Sequence, residues 1–235
     1  MSNNITFRSD FLVDLIQHAG DDEMICKAAR VSVLGAASID SKESAGLINF
    51  LMANRHGSPF EHAMITARIT APIAVWREFM RHRIGVSYNE ESGRYKQLDG
   101  VFYLPPKVRK LVQVGKAGQY TFEHGDESQK NLIQQEFIYD YQVVWNSYTK
   151  MLDAGIAKEV ARFILPVGIY STAYVTMNPR SIMNFLSLRT KHEDATFPSF
   201  PMWEINQTAD KIEELFKELF PITHQAFVNN GRVAP

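Results

Sequence analysis

The chain has 235 residues, enough for one large domain or two small ones with a substantial core. Apolar side chains make up 45% and the net charge is -1, as in an ordinary globular protein, so general electrostatic attraction to nucleic acid or to a membrane is not expected. No apolar run approaches the roughly 18 residues of a spanning helix, the opening MSNNITFRSDF lacks the regions of a signal peptide, and a single cysteine, Cys26, excludes an internal disulfide and fits a cytoplasmic protein.

Residues 5–19 alternate loosely, as an opening strand or hairpin would, and residues 22–32 read as a helix. Asp40 with Glu43 resembles a capping box ahead of Ala45, Ile48, Leu51 and Met52, which recur at helical spacing up to Asn54-Arg55-His56-Gly57. From Met64 the period changes to two. Ile65, Ala67, Ile69 and Ala71 share one face of a half-buried strand, with Thr66, Arg68 and Thr70 on the other. Pro72 suits the first turn of a helix through Trp76 to Arg81. The segment 98–125 is irregular. Residues 128–153 form the clearest helix, striped by Ile133, Phe137, Tyr141, Trp145, Tyr148 and Leu152. A short helix at 156–164 stops before Pro166, a strand covers 168–177, Asn178-Pro179 starts another helix, and residues 202–219 form the last long one. Elements of both kinds without regular βαβ alternation predict one α+β domain over residues 1–235, with a mixed or antiparallel sheet packed against long helices.

Chemistry concentrates in Arg81-His82-Arg83 and the following Ser87-Tyr88-Asn89-Glu90-Glu91-Ser92-Gly93-Arg94-Tyr95. Guanidinium groups present planar forks of donors that match phosphate oxygens. A polar loop beside them offers groups that read a base or a sugar, so the stretch points to an anionic, nucleotide-like ligand. Cations at a helix end can also simply complement its dipole. Farther on, Arg162 could pair with Glu159 one turn earlier. Arg180 and Asn184 share a helix face, while Arg189 lies about half a turn away at 100° per residue. That helix can address one ligand with Arg180 and Asn184 and another with Arg189. His56, Glu61 and His62 raise the question of a metal, but the six-residue His spacing and Pro59 do not suit a helical zinc site, and no metal is expected. Neither a GxGxxG fingerprint nor a P-loop is present, and Cys26 lacks a catalytic context.

Four blocks in order resemble the flavin-dependent thymidylate synthases. They are the Arg81-His82-Arg83 triplet followed by Ser92-Gly93-Arg94-Tyr95, the stretch from His56 to His62, the EVAR-x-x-LP block from Glu159 to Pro166, and Asn178 to Arg189. The resemblance implies reductive methylation of dUMP to dTMP. The carbon comes from 5,10-methylenetetrahydrofolate, FAD supplies the hydride, NADPH is the reductant, and active sites lie at the subunit interfaces of a homotetramer. It implies FAD contacts for His56, Ser58, Arg81, His82, Arg83, Glu90, Asn178, Arg180 and Asn184. It implies dUMP contacts for Glu78, Arg81, Glu90, Glu91, Ser92, Gly93, Arg94 and Arg162, and for Arg189, which would polarise the uracil as the catalytic residue. A flavin-near histidine just after the arginine is usual in the family, and His192 is the candidate. The stretch between Arg189 and Trp203 is longer than the family's pattern. Two other readings stay open: a nucleotide-binding regulatory module without turnover, and a metal-dependent phosphohydrolase using His56, Glu61, His62 and His192 with Asp194.

Overall fold

The structure, a computed structural model, describes residues 4–116 and 120–235. In chain order the elements are β1 (Thr6–Arg8), β2 (Leu12–Ala19), α1 (Asp22–Leu34), α2 (Ala45–Ala53), β3 (Met64–Pro72), α3 (Ile73–Phe79), β4 (Val86–Glu90), β5 (Val101–Tyr103), β6 (Val112–Val114), β7 (Thr121–Glu123), α4 (Glu127–Asp153), α5 (Lys158–Ala161), β8 (Tyr170–Met177), α6 (Pro179–Arg189), α7 (Trp203–Leu219) and α8 (Pro221–Asn229). Short 3-10 turns occupy Gly35–Asp40, Ser58–Glu61 and Arg162–Ile164. Strands and long helices together give the expected α+β class, with β1 and β5 parallel and β6 and β7 antiparallel.

The chain forms two compact units. The first contains the described residues up to Asp10, Thr70–Arg77 and those of Glu90–Thr172. Its core gathers Phe102, Trp145, Tyr148, Ala161 and Ile169, with Phe7, Ile73 and Tyr141 packed against them. Trp145 and Tyr148 come from the apolar stripe of α4, while Leu132, Ile138, Tyr139 and Val143 stay exposed. The start of α4 is fixed by a capping box in which Asp126 accepts from the Gln129 amide and the Gln129 side chain accepts from the Asp126 amide. Indole Nε1 of Trp76 donates to the Ser171 carbonyl, satisfying a buried donor.

The second unit contains Phe11–Ile69, Glu78–Asn89 and Ala173–Pro235. It holds all of β2 and the larger part of β3, β8 and β4, from a sheet ordered β2-β3-β8-β4. Along β3, Ile65, Ala67 and Ile69 are buried as the alternation predicts, and the Thr66 hydroxyl on the other face bonds that of Thr176 at 2.9 Å. Helices α6, α7 and α8 supply Phe185, Phe216 and Phe227, each fully buried, and Phe60, Phe79 and Phe220 complete the aromatic core. Buried Asp22, at the start of α1, accepts from the Ile222 and Thr223 amides and from the Thr223 hydroxyl, and so caps α8 across 200 residues of sequence.

The Asp40 capping box does not form, because residues 35–40 close a 3-10 turn and the Ser44 hydroxyl, accepting from the Leu47 amide, caps α2 instead. Helix α3 stops at Phe79, two residues early: the Arg81 and His82 amides close a turn on the Glu78 and Phe79 carbonyls, and the Tyr88 hydroxyl, 3.0 and 2.7 Å from the carbonyls of Phe79 and His82, holds that turn. The basic triplet therefore sits in a turn. Residues 86–90, read as loop, form β4; α8 was not foreseen; and the irregular 98–125 segment holds three short strands, with its residues 117–119 outside the described residues. No helix among the described residues is long and apolar enough to cross a membrane.

Candidate active site

Helix α6 sets the frame of the second unit's site. Asn178 caps it by accepting from the Ser181 amide at 2.8 Å, and Pro179 occupies the position where a missing N–H is harmless. The Ser181 hydroxyl then donates to the Ile84 carbonyl, so the helix start is tied to the turn after the basic triplet. Gly85 in that turn has φ +67°, and a Cβ there would meet both Ser181 Oγ and the Asn178 amide. Close approach and backbone conformation both require glycine at this position.

Arg180 projects from the first turn of α6. Its Nη1 pairs with Glu61 at 2.6 Å, its Nε donates to the Pro235 carbonyl at 2.7 Å, and its guanidinium lies so near Gly57 that a Cβ there would collide with it. One turn on, the Asn184 amide donates to the Arg180 carbonyl. Arg189, in the last turn, behaves differently. Its Nε donates to His82 Nε2 at 3.1 Å and its Nη1 pairs with Glu78 at 3.0 Å, with only 17% of its side chain exposed. The sequence placed Arg180 and Arg189 half a turn apart, and the structure gives them separate partners. Since His82 Nε2 accepts from a guanidinium, its proton belongs on Nδ1. Burial, with Arg189 and Arg81 adding repulsion, pushes the imidazole down to about 4, so it is neutral at physiological pH.

A cleft of about 840 Å³ opens beside this helix, lined by Glu61, Arg81, His82, Arg83, Asn178, Arg180 and Asn184 among others. Three guanidinium groups face it against one carboxylate. Arg81 and Arg83 are exposed and form no ion pair among the described residues. Exposed Ile84 and Leu188 add apolar wall. Cations and amides beside apolar side chains fit a cofactor that combines a diphosphate with a flat ring, as FAD does. Glu61 and Gly85 are site members that the sequence reading did not assign. The sequence around Glu61 suggests a metal ligand at most, and no local pattern links it to Arg180, 119 residues away.

Not every expected residue reaches the cleft. His56 and Ser58 do not line it; His56 packs edge-on against Phe50 with ring centroids 5.7 Å apart. His192 turns to Glu213, 3.8 Å away. Among the described residues no group of three or more His, Cys, Asp or Glu is arranged to hold a metal ion.

The first unit carries the other expected residues. Glu90 accepts from the Ser171 hydroxyl at 2.6 Å, and Glu91 accepts from the Thr172 amide and pairs with Lys96, both at 2.9 Å. Ser92 Oγ accepts from the Arg94 amide, closing a tight turn. Arg94 pairs with Glu159 at 2.9 Å, with both side chains about half exposed at 48% and 56%. Arg162 therefore does not pair with Glu159; its guanidinium lies 5.9 Å from the Phe163 ring centroid and makes no ion pair among the described residues. A Cβ on Gly93 would come within 3.3 Å of Arg162 Cδ, so the glycine lets this side chain pass close to the turn.

The family model described as "Thymidylate synthase complementing protein" matches residues 14–222. Similar curated proteins include the flavin-dependent thymidylate synthase of Streptomyces avermitilis, 51% identical over 235 residues that cover 98% of this chain and 96% of that one. That of Tropheryma whipplei strain TW08/27 is 53% identical over 233 residues, 97% of each chain. Among solved structures, the UMP/dUMP methylase PolB of Streptomyces cacaoi bound with 5-Br UMP matches with a TM-score of 0.91 and 43% identity, covering 98% of this chain and 99% of that one. Its 5-Br dUMP complex matches with a TM-score of 0.93 and 42% identity, covering 98% and 100%.

Proposed function

The chain belongs to the family of flavin-dependent thymidylate synthases, and from that premise we propose that it converts dUMP to dTMP with 5,10-methylenetetrahydrofolate as carbon donor and NADPH as reductant. Residues 1–235 act as one functional domain, in a cytoplasmic homotetramer whose active sites form where copies meet. The observation that carries the reading is the Arg189 guanidinium, held by His82 and Glu78, on the helix that also presents Arg180 and Asn184 to a cationic cleft.

FAD, when bound, supplies the hydride. Arg81, Arg83 and Arg180 offer its diphosphate charge-assisted hydrogen bonds, with the amides of Asn178 and Asn184 beside them. His82, neutral, orients Arg189 through Nε2 and adds no charge to the flavin site. His56, Ser58 and Glu90 do not line this cleft, and their proposed flavin contacts would be made where copies of the chain meet. For dUMP, Arg94 and Arg162 are the phosphate cations, with Ser92 and Gly93 giving a hydroxyl and an open backbone, and Glu90 and Glu91 reading the nucleoside. Arg81 serves both ligands. Arg189 stabilises negative charge on the pyrimidine, which strengthens C5 as a nucleophile toward the one-carbon unit, while Glu78 keeps the guanidinium in place.

The test is direct. Purified protein should be yellow, and with methylenetetrahydrofolate and NADPH it should form dTMP from dUMP. Flavin-loaded protein that binds dUMP but yields no dTMP would sink the assignment and leave a nucleotide-binding module.

A further inference from the structure

The last residues of the chain contact both ends of α6. The Pro235 carbonyl accepts from Arg180 Nε at 2.7 Å, and the Ala234 carbonyl accepts from Arg55 Nη1 at 2.9 Å. Arg232, only 4% exposed, reaches the other end. Its two terminal nitrogens grip both Glu213 oxygens at 2.7 and 2.6 Å, and Nη2 also donates to Thr190 Oγ1 at 2.9 Å. Thr190 directly follows Arg189, is itself buried, and has its carbonyl taken by the Ser199 hydroxyl. The tail is set for this task. Gly231 and Arg232 both have positive φ, at +68° and 57°, and the Gly231 carbonyl accepts from the Thr196 amide at 3.0 Å. A Cβ on Gly231 would meet the Thr196 hydroxyl. A buried arginine in a left-handed conformation costs free energy that ordinary surface packing would not demand.

We propose that residues 231–235 form a positioning strap in which Arg232 sets Arg189 through Thr190, while the Pro235 carbonyl sets Arg180. The proposal rests on the function assigned above, in that Arg180 is taken to face the flavin and Arg189 the pyrimidine. Arg232 borders, with Arg189, a cavity of about 530 Å³, but in this scheme Arg232 and Pro235 act by positioning Arg189 and Arg180 and are not themselves ligand contacts. One five-residue segment aligns the two ligand sites through opposite ends of one helix, and its halves are separable.

Two variants test it. Arg232→Lys keeps the cation but cannot span both Glu213 oxygens and Thr190 at once. It should raise the dUMP dissociation constant and lower kcat about tenfold each, with flavin affinity within about twofold, as expected for one misplaced charge-assisted contact. A chain ended at Val233 should do the reverse, raising the flavin dissociation constant about tenfold while kcat at saturating flavin stays within about twofold. Should Arg232→Lys fail to fold, Thr190→Val removes the same link, together with the hydroxyl's bond to the Leu186 carbonyl, and should show the same dUMP-selective loss. Flavin binding is read by fluorescence quenching, dUMP binding by calorimetry, and melting temperature alongside. A lower melting temperature with unchanged dissociation constants would make the strap merely structural and overturn the proposal. So would a truncated chain with wild-type flavin affinity. Wild-type protein that binds both ligands without forming dTMP would overturn the assigned function but not the strap, since both dissociation constants still report on it; wild-type protein that binds neither overturns both.

Discussion

The cations of α6 and those at and beside the 90–94 turn, Arg94 and Arg162, are held in different ways. Arg180 and Arg189 are fixed by partners more than a hundred residues away, Glu61 at 119 and Glu78 at 111. Arg94 has one half-exposed pair with Glu159, and among the described residues Arg162 has an aromatic neighbour but no ion pair. The Arg180–Glu61 pair is itself nearly half exposed, but Arg180 has a second bond, to the Pro235 carbonyl. Prepaid positioning suits groups that act on a transition state or a tightly held cofactor, because no reorganisation is needed when charge develops. Loosely held cations suit a substrate that arrives and leaves every turnover. The contrast predicts that changes in the first group alter rate or flavin retention, with dUMP affinity following where Arg189 is displaced, and that changes in the second alter substrate affinity without altering rate.

The largest effect should come from Arg189→Ala, with dTMP formation falling about 10²- to 10³-fold, as for loss of one preorganised donor. Flavin affinity, measured by titration of the apoprotein, should change less than about threefold; loss of flavin would mean that the two faces of α6 are not separate. Next comes Arg162→Ala. Loss of one charge-assisted hydrogen bond, about 1.5–3 kcal/mol, should raise the dUMP KM roughly 10- to 100-fold while kcat holds. A collapse of kcat instead would place Arg162 with the prepositioned group. Gly85→Ala should weaken flavin binding about tenfold, since strain of about 1–3 kcal/mol at φ +67° must push Ser181 and Asn178 aside. Glu159→Gln removes an exposed pair worth less than about 1 kcal/mol, so dUMP affinity should shift by no more than about threefold. A tenfold shift would show that the loop is preset after all.

A pH experiment gives the gentlest test. His82 is pushed from 6.5 down to about 4 in the folded protein. Above 6.5 both folded and unfolded chains leave it neutral and it costs nothing. As the pH falls from 6.5 toward 4, the unfolded chain takes up a proton that the folded site refuses, so stability is lost in that window. Urea midpoints measured at pH 7 and pH 4.5 should therefore diverge, and His82→Gln should narrow the gap. An unchanged gap would remove the histidine from the account.

Long periodic segments were legible in the sequence. The stripe on α4, the alternation in β3 and the Asn-Pro start of α6 all appear as read, because each states its own burial pattern locally. Cap identity was less legible, since Asp40 and Ser44 are both good caps and only the 3-10 turn at 35–40 decides between them. The end of α3 depended on a hydroxyl nine residues later, that of Tyr88. Candidate site residues could be named from the RHR, SGRY and Asn178–Arg189 blocks, Glu78 among them as a dUMP contact, but which carboxylate holds which cation could not. No local pattern links Glu61 to Arg180 or Glu78 to Arg189 until the fold brings them together.

Asp22 has a consequence for the order in which the molecule can assemble. Its carboxylate caps α8 from the far end of the chain, and α8 leads directly to the segment that meets Arg180. Closing a contact across about 200 residues is slow compared with forming a helix, because a long loop must be ordered before any stabilisation is gained. The emerging chain can therefore form α6 and its sheet early, yet the anchor for Arg180 arrives only when the last residues dock. With Arg180 holding the flavin as proposed, cofactor binding would come at the end of folding, and flavin fluorescence should trail far-ultraviolet circular dichroism during refolding.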